Sequence, residues 1–117
     1  MDKEQHYTTS DKALAYDTTV ELLKSMYLEF KDLSKKKPDA AVSKSKINIT
    51  NRLLTKVRSV LEDEESIEFL DLLDEDDVPQ VSDVTLILSQ YEAAMTAFRK
   101  KYYGYNSREG EHQWHTK

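Results

Sequence analysis

The sequence predicts an all-α fold: a compact antiparallel bundle of about four helices, three long and one short, with loose termini. Glycine and proline number only two each among 117 residues, although β-sheet turns and phosphate-binding loops consume both. Apolar residues recur at three- and four-residue steps, the spacing that gathers side chains on one helical face. A chain of this length supports one core. We therefore expect a helical bundle domain at 10–105, a flexible arm at 1–9 and a flexible tail at 106–117.

The first predicted helix begins at Asp11, behind an N-cap at Ser10, and ends in the lysines that precede Pro38. Cations suit the negative end of the helix dipole, and proline cannot extend the hydrogen-bond ladder. The second predicted helix begins at Ser43, and its apolar stripe runs from Ile47 to Leu61. The inward stripes of these two helices comprise Tyr16, Val20, Leu23, Met26, Tyr27, Phe30, Leu33, Ile47, Thr50, Leu53, Leu54, Val57, Val60 and Leu61.

The third predicted helix is short and spans residues 64–74, where acidic residues fill most of the outward positions. A break at 76–80 separates it from the fourth predicted helix, which starts behind a cap at Ser82. That helix stops at Gly104, because glycine tolerates the left-handed geometry of a helix end. The inward positions of these two helices are Ile67, Leu70, Leu73, Val84, Ile87, Leu88, Tyr91, Ala94, Met95, Phe98 and Tyr102, with Phe69 as a further candidate on the third helix.

The most unusual feature is an acidic block at 62–77, which holds ten of the chain's 22 acidic residues and no lysine or arginine. One interpretation of this block is a solvated face, whose surface ion pairs contribute about 0–1 kcal/mol each to stability. The other is a binding surface for a basic protein, since opposite charge raises the rate and the selectivity of association. Because no catalytic motif stands out, we take the chain to be a non-catalytic protein–protein interaction module of the adaptor, inhibitor, immunity or assembly type. The predicted partner-binding residues are Glu64, Glu65, Glu68, Asp71, Asp74 and Glu75.

A metal-dependent hydrolase is the first alternative function. Glu62, Glu65, Glu68, Asp71 and Asp74 stand three residues apart, so a helix would place their carboxylates on neighbouring turns, where they could hold Mg²⁺. This spacing resembles the helical Glu-x-x-Glu pairs of all-α nucleotide pyrophosphohydrolases. The similarity ends there, because no second helix of the sequence supplies matching ligands.

A nucleic-acid binder is the second alternative. Arg99, Lys100 and Lys101 precede Tyr102 and Tyr103, and cations beside aromatic rings can contact phosphates and stack on bases. The formal net charge of −5 argues against this function, because neutralising a phosphate backbone requires a sizeable positive field. We therefore expect no nucleic-acid partner.

A second stripe on the fourth predicted helix consists of Leu86, Ala93 and Ala97, on the side away from Tyr91 and Phe98. Such a stripe either packs against a neighbouring helix of the same chain or forms a second interface. A homodimer is one interface of this kind. Both arrangements are compatible with the sequence.

The chain contains no cysteine, which excludes disulfides, thiolate nucleophiles and thiolate metal ligands together. The longest apolar runs are only a few residues long, far short of a membrane span or a signal peptide. We therefore expect a cytoplasmic protein with no catalytic residues, no cofactor, no metal site and no membrane partner.

Overall fold

A computed structural model of the protein describes residues 5–117 and contains three long helices followed by a small antiparallel sheet. The molecule is elongated, with principal extents of 52 × 26 × 24 Å. The elements, in chain order, are α1 (Ser10–Lys36), α2 (Lys44–Leu61), α3 (Val81–Tyr102), β1 (Tyr103–Asn106) and β2 (Glu111–Trp114). The predicted four-helix, all-α fold is therefore wrong, although the molecule is mostly helical.

The ends of α1 and α2 follow from local capping. The hydroxyl of Thr9 accepts a hydrogen bond from the N–H of Lys12 at 3.1 Å, so the cap of α1 lies one residue before the predicted Ser10. Ser43, the predicted start of the second helix, is the cap of α2, and its hydroxyl accepts a hydrogen bond from the N–H of Lys46 at 3.2 Å. Each cap satisfies one of the free amide donors that every helix start exposes.

The connections before α2 and α3 pair with each other. The N–H of Val42 donates to the carbonyl of Pro79, and the N–H of Val81 donates to the carbonyl of Ala40, both at 2.9 Å. This pairing holds the starts of α2 and α3 at the same end of the molecule. The two helices are therefore parallel to each other, and α1 runs antiparallel to both.

The third predicted helix is wrong. Residues Glu65–Phe69 and Glu75–Asp77 form short 3₁₀ turns, and the backbone between them is extended. Carboxylates three and four residues apart repel on a helix, and this segment contains many such pairs. The extended backbone still buries Leu70 and Leu73, and it returns the chain from the end of α2 to the start of α3.

The predicted loose C-terminus is also wrong, because residues 103–114 form a β-hairpin. Gly104 pairs with Gln113 inside it and is not the left-handed helix stop that the sequence predicts; the left-handed glycine is Gly110, at φ 70°. The N–H of Thr8 donates to the carbonyl of His115 at 2.9 Å, and the N–H of Lys117 donates to the carbonyl of Thr8 at 3.1 Å. These bonds join the segment before α1 to the segment after β2, and the N–H of His115 donates to the carbonyl of Tyr102 at the end of α3 at 2.7 Å.

The core lies between the three helices and is extended by the hairpin. Predicted inward residues of all three helices, such as Leu23, Leu54 and Leu88, are fully buried. Trp114 of β2 packs edge-on against Tyr16 of α1, with ring centroids 5.0 Å apart. It also lies 5.8 Å from the ring of Phe98. Among residues 5–117, no helix is both long enough and apolar enough to cross a membrane.

Candidate functional site

The acidic segment, residues 62–77, lies against one flank of α2 and is attached to it by polar side chains. The side-chain amide of Asn51 donates to the carbonyl of Leu73 and accepts from the N–H of the same residue, both at 2.8 Å. The guanidinium of Arg58 donates to the carbonyl of Leu70. Backbone groups that a helix would satisfy internally are satisfied here by α2.

Tyr91 of α3 attaches the same segment from the other side. Its hydroxyl donates to the carbonyl of Asp71 at 2.8 Å, and its side chain is fully buried. Burial raises the pKa of Tyr91 to about 12; the charge of Arg58 opposes this rise and that of Asp71 adds to it. The hydroxyl therefore keeps its proton, and its hydrogen bond to the acidic segment, throughout the physiological pH range.

Glu64, one of the predicted partner-binding residues, is engaged within the molecule. Its carboxylate accepts a hydrogen bond from the hydroxyl of Tyr102 at 2.9 Å and from the ammonium group of Lys101 at 3.4 Å. Burial and the hydrogen bond to Glu64 together raise the pKa of Tyr102. With 13% of its side chain exposed, Glu64 contributes to the anchoring of the segment more than to its surface.

The other five predicted contact residues are exposed, and apolar side chains stand between them. Phe69, a candidate inward residue from the sequence, is instead 67% exposed. Leu72 is 44% exposed, and Val78, just beyond the segment, is 60% exposed. A surface that alternates carboxylates with exposed large apolar groups can combine electrostatic attraction with burial of apolar area. The exposed carboxylates belong to Glu65, Glu68, Asp71, Asp74 and Glu75.

The carboxylates do not line up as the hydrolase alternative requires. Their predicted alignment depended on a helix over 64–74, and that helix does not form. Among residues 5–117, no group of three or more histidine, aspartate or glutamate side chains is arranged to hold a metal ion. The geometry of the described chain thus offers no support for Mg²⁺ chemistry on this segment.

The start of the acidic segment is paired with α1. The ammonium group of Lys12 contacts the carboxylates of Asp63 and Glu62, the latter at 3.5 Å. Burial lowers the pKa of Lys12, but the two carboxylates outweigh it, so the pKa lies above its ordinary value. Glu62 and Asp63 are therefore partly neutralised, and the free negative charge of the segment is concentrated further along.

The basic end of α3 is largely engaged by its own neighbours. The guanidinium of Arg99 lies 4.2 Å from the ring centroid of Tyr103, and the ammonium group of Lys101 lies between Glu64 and the ring of Tyr102. Lys100 is exposed. A phosphate backbone would have to compete with these contacts.

The second predicted interface lies on the exposed side of α3. Leu86, Ala93 and Ala97 are all exposed, and Leu86 keeps 63% of its accessible surface. No described part of the chain packs over this stripe, so the intramolecular arrangement left open by the sequence does not occur there.

A groove between α1 and α2 is a feature that the sequence analysis missed. The apolar side chains along it are Leu22 and Met26 of α1 with Ile49 and Leu53 of α2. Leu22 and Ile49 lie outside the predicted inward stripes. Their positions in the sequence could have indicated the groove, because apolar residues off the core face of a helix indicate a second contact.

Comparison of the chain with protein family models, with curated proteins and with solved structures finds no significant match.

Proposed function

We propose that this chain is a non-catalytic protein–protein interaction module that binds a basic surface of its partner through the acidic segment. One observation carries the proposal: exposed carboxylates are displayed on an extended backbone that three side chains, those of Asn51, Arg58 and Tyr91, hold in one conformation. A surface fixed before binding loses little conformational entropy on association.

The charges and the apolar groups of this surface have different roles. Opposite charge accelerates encounter and selects among partners, with a smaller effect on affinity. Phe69 and Leu72 supply apolar area, and fully burying such a side chain is worth about 1.5–3 kcal/mol. We therefore expect the partner to carry lysine or arginine side chains around shallow apolar depressions.

The type of module is part of the same proposal. An adaptor, an inhibitor, an immunity protein and an assembly factor all act by occupying another protein's surface, and none of them requires a catalytic group. The absence of cysteine from the sequence is compatible with a reducing compartment. We accordingly place the function in the cytoplasm.

Charge reversal tests the proposal. Replacing Glu68, Asp71 and Asp74 together by lysine should abolish capture of the partner from a native lysate while leaving the helical circular dichroism unchanged, because these side chains are exposed. The matched control replaces Asp39, Glu109 and Glu111 by lysine, which changes the net charge equally at exposed sites elsewhere. Equal capture by both triple variants would refute the assignment.

The two alternative functions predict different results. A hydrolase would show Mg²⁺-dependent shifts of the backbone amide resonances of residues 62–77. A nucleic-acid binder would be retained on heparin in a strongly salt-dependent manner, and replacing Arg99, Lys100 and Lys101 by glutamine would abolish that retention. Either result would replace the proposed function.

A further inference from the structure

The α1–α2 groove runs along most of the paired length of the two helices. Two cavities follow it in succession, with volumes of about 210 and 560 Å³. The first is lined by Phe30 and Leu33 near the end of α1, and the second reaches back to Thr18. A further cavity near the start of α1 is lined by Asp11, Glu62 and Asp63, and it belongs to the acidic segment and not to the groove. From Thr18 to Leu33 the groove extends over roughly 22 Å, at about 1.5 Å of rise per residue.

The other flank of α2 is covered, which makes this groove distinctive. The acidic segment lies between α2 and α3 and bonds to Asn51, Arg58 and Tyr91. Trp114 packs between α1 and α3 at one end of the bundle. No described residue lies over the α1–α2 groove, where a four-helix bundle would place its additional helix. Leu22 is left 57% exposed and Ile49 is left 49% exposed.

The rim of the groove on α2 is basic, and within the described part of the chain the one acidic residue that lines its two cavities is Glu29 of α1. Helix α2 carries five cations and no acidic residue, and three of the cations, Lys46, Arg52 and Lys56, line the cavities of the groove. Among residues 5–117, the ion pairs within 4.0 Å involve Lys12, Lys24, Lys35 and Lys101. The three rim cations are thus available to carboxylates from outside the chain.

We propose that the α1–α2 groove binds an acidic amphipathic α-helix of a partner protein. The apolar face of that helix lies on Leu22, Met26, Ile49 and Leu53, and its carboxylates contact the rim cations. This is helix-in-groove recognition, in which anchors at three- and four-residue steps fill an apolar channel. A partner helix of about 15 residues matches the length of the groove.

The site is independent of the acidic segment, because the two lie on opposite flanks of α2 and carry opposite charge. A partner bound at one surface would leave the other accessible. The chain would then connect a basic surface on one side with an acidic helix on the other.

Synthetic peptides test the inference without knowledge of the natural partner. The first is a fluorescent peptide of about 18 residues with leucine on one helical face and glutamate and alanine elsewhere. The second has the same apolar face with lysine in place of glutamate, and the third is a scrambled glutamate peptide that has no apolar face. Fluorescence anisotropy with the full-length protein should show at least tenfold tighter binding of the first peptide than of the third. The lysine peptide can bind the acidic segment, so its binding, unlike that of the glutamate peptide, should not change with Ile49→Ser. Raising the salt concentration should weaken this binding.

Single substitutions locate the binding site. Ile49→Ser should weaken binding of the glutamate peptide at least tenfold, and Leu28→Ser should not, because Leu28 is 51% exposed on the opposite side of α1. Arg52→Glu should weaken it similarly, whereas Lys100→Glu changes the net charge equally and should have no effect. All four positions lie at the surface or at the groove edge, so each variant should keep the native melting temperature.

Three results would overturn the inference. The first is binding of the glutamate peptide that is no tighter than binding of the scrambled peptide. The second is amide shifts confined to residues outside the groove when the glutamate peptide is added. The third is a dimer, detected by sedimentation, that Ile49→Ser dissociates, since a second copy of the chain would then cover the groove. None of these results depends on whether the acidic segment binds a basic partner.

Discussion

Asn51 and Leu73 exchange two hydrogen bonds of 2.8 Å, in which a side-chain amide on a helix pairs with extended backbone as a neighbouring strand would. The pairing is possible because an amide presents one donor and one acceptor in the geometry of a peptide group. It positions Leu73 in the core and leaves the carboxylates on either side of it in solvent. Asn51, an uncharged residue twenty-two positions before Leu73, therefore fixes the position of the acidic surface.

Replacing Asn51 by alanine should release the stretch 70–74 from α2. We expect a loss of about 1–3 kcal/mol in the free energy of unfolding, since the backbone groups of Leu73 lose their partners. Urea denaturation measures this loss, and faster amide exchange at 70–74 locates it. Asn48→Ala, at an exposed position one turn earlier, should change stability by less than about 0.5 kcal/mol. Equal effects of the two substitutions would mean that the pairing contributes nothing.

Phe30 and Phe69 are a matched pair for testing the core. Phe30 is 8% exposed and Phe69 is 67% exposed. Phe30→Ala should lower the free energy of unfolding by about 3–5 kcal/mol, as large core truncations do. Phe69→Ala should change it by less than about 0.5 kcal/mol. A loss below about 1 kcal/mol for Phe30→Ala, measured by chemical denaturation, would show that α1 does not face the core as described.

Trp114 connects the hairpin to the bundle through Tyr16, Phe98 and a hydrogen bond from its indole N–H to Asp17 at 3.2 Å. Trp114→Ala should therefore detach the hairpin at a cost of about 1–3 kcal/mol, with the helical circular dichroism retained. Tyr105→Ala, at a 58% exposed position of the same hairpin, is the control. Unchanged amide exchange across 103–106 in the Trp114 variant would contradict this role.

Glu92 makes stability depend on pH. One oxygen of its carboxylate is buried without a hydrogen-bond partner in the described chain. Burial raises the pKa of this carboxyl, Lys24 opposes the rise and Glu21 adds to it. A folded-state pKa above the unfolded value means that the folded protein favours the protonated carboxyl of Glu92. The contribution of this carboxyl to the free energy of unfolding is therefore complete at low pH and is lost as the pH rises through the folded-state pKa.

The substitution Glu92→Gln removes this titration. The stability of the variant relative to the native sequence should therefore increase between about pH 4 and pH 7. Thermal melts in a series of buffers measure the difference. A difference that is constant with pH, or that falls as the pH rises, would contradict the assignment to Glu92.

The three long helices could be predicted because each has a continuous apolar stripe bounded by local stop signals. Ser43 and Pro38 mark ends that depend on neighbouring backbone alone. Segment 64–74 could not be predicted in the same way. Leu70 and Leu73 fit one helical face, but they are equally buried in extended backbone once Asn51 and Arg58 supply the hydrogen bonds, and those partners are distant in sequence.

The hairpin and the groove were missed for related reasons. Four-residue strands such as β1 and β2 are too short to show alternation, and the value of Trp114 as an anchor depends on Tyr16 and Phe98, which come from two other elements. The groove depends on which helix flanks stay uncovered, and periodicity does not report this. Of the predicted contact residues, Glu64 lies against Tyr102, a pairing between positions that only the folded chain brings together.

The bonding of Thr8 to His115 and Lys117 encloses nearly the whole polypeptide in a single loop. The entropy lost in closing a loop increases with its length, and a contact between such distant positions gains nothing until the helices between them have assembled. The hydrogen bonds between Thr8 and the C-terminal residues should consequently form last during folding and break first under native conditions. The amide protons of Thr8 and Lys117 would then exchange with deuterium well before that of Leu88. Their exchange rates would therefore measure how stably the hairpin packs on the helices.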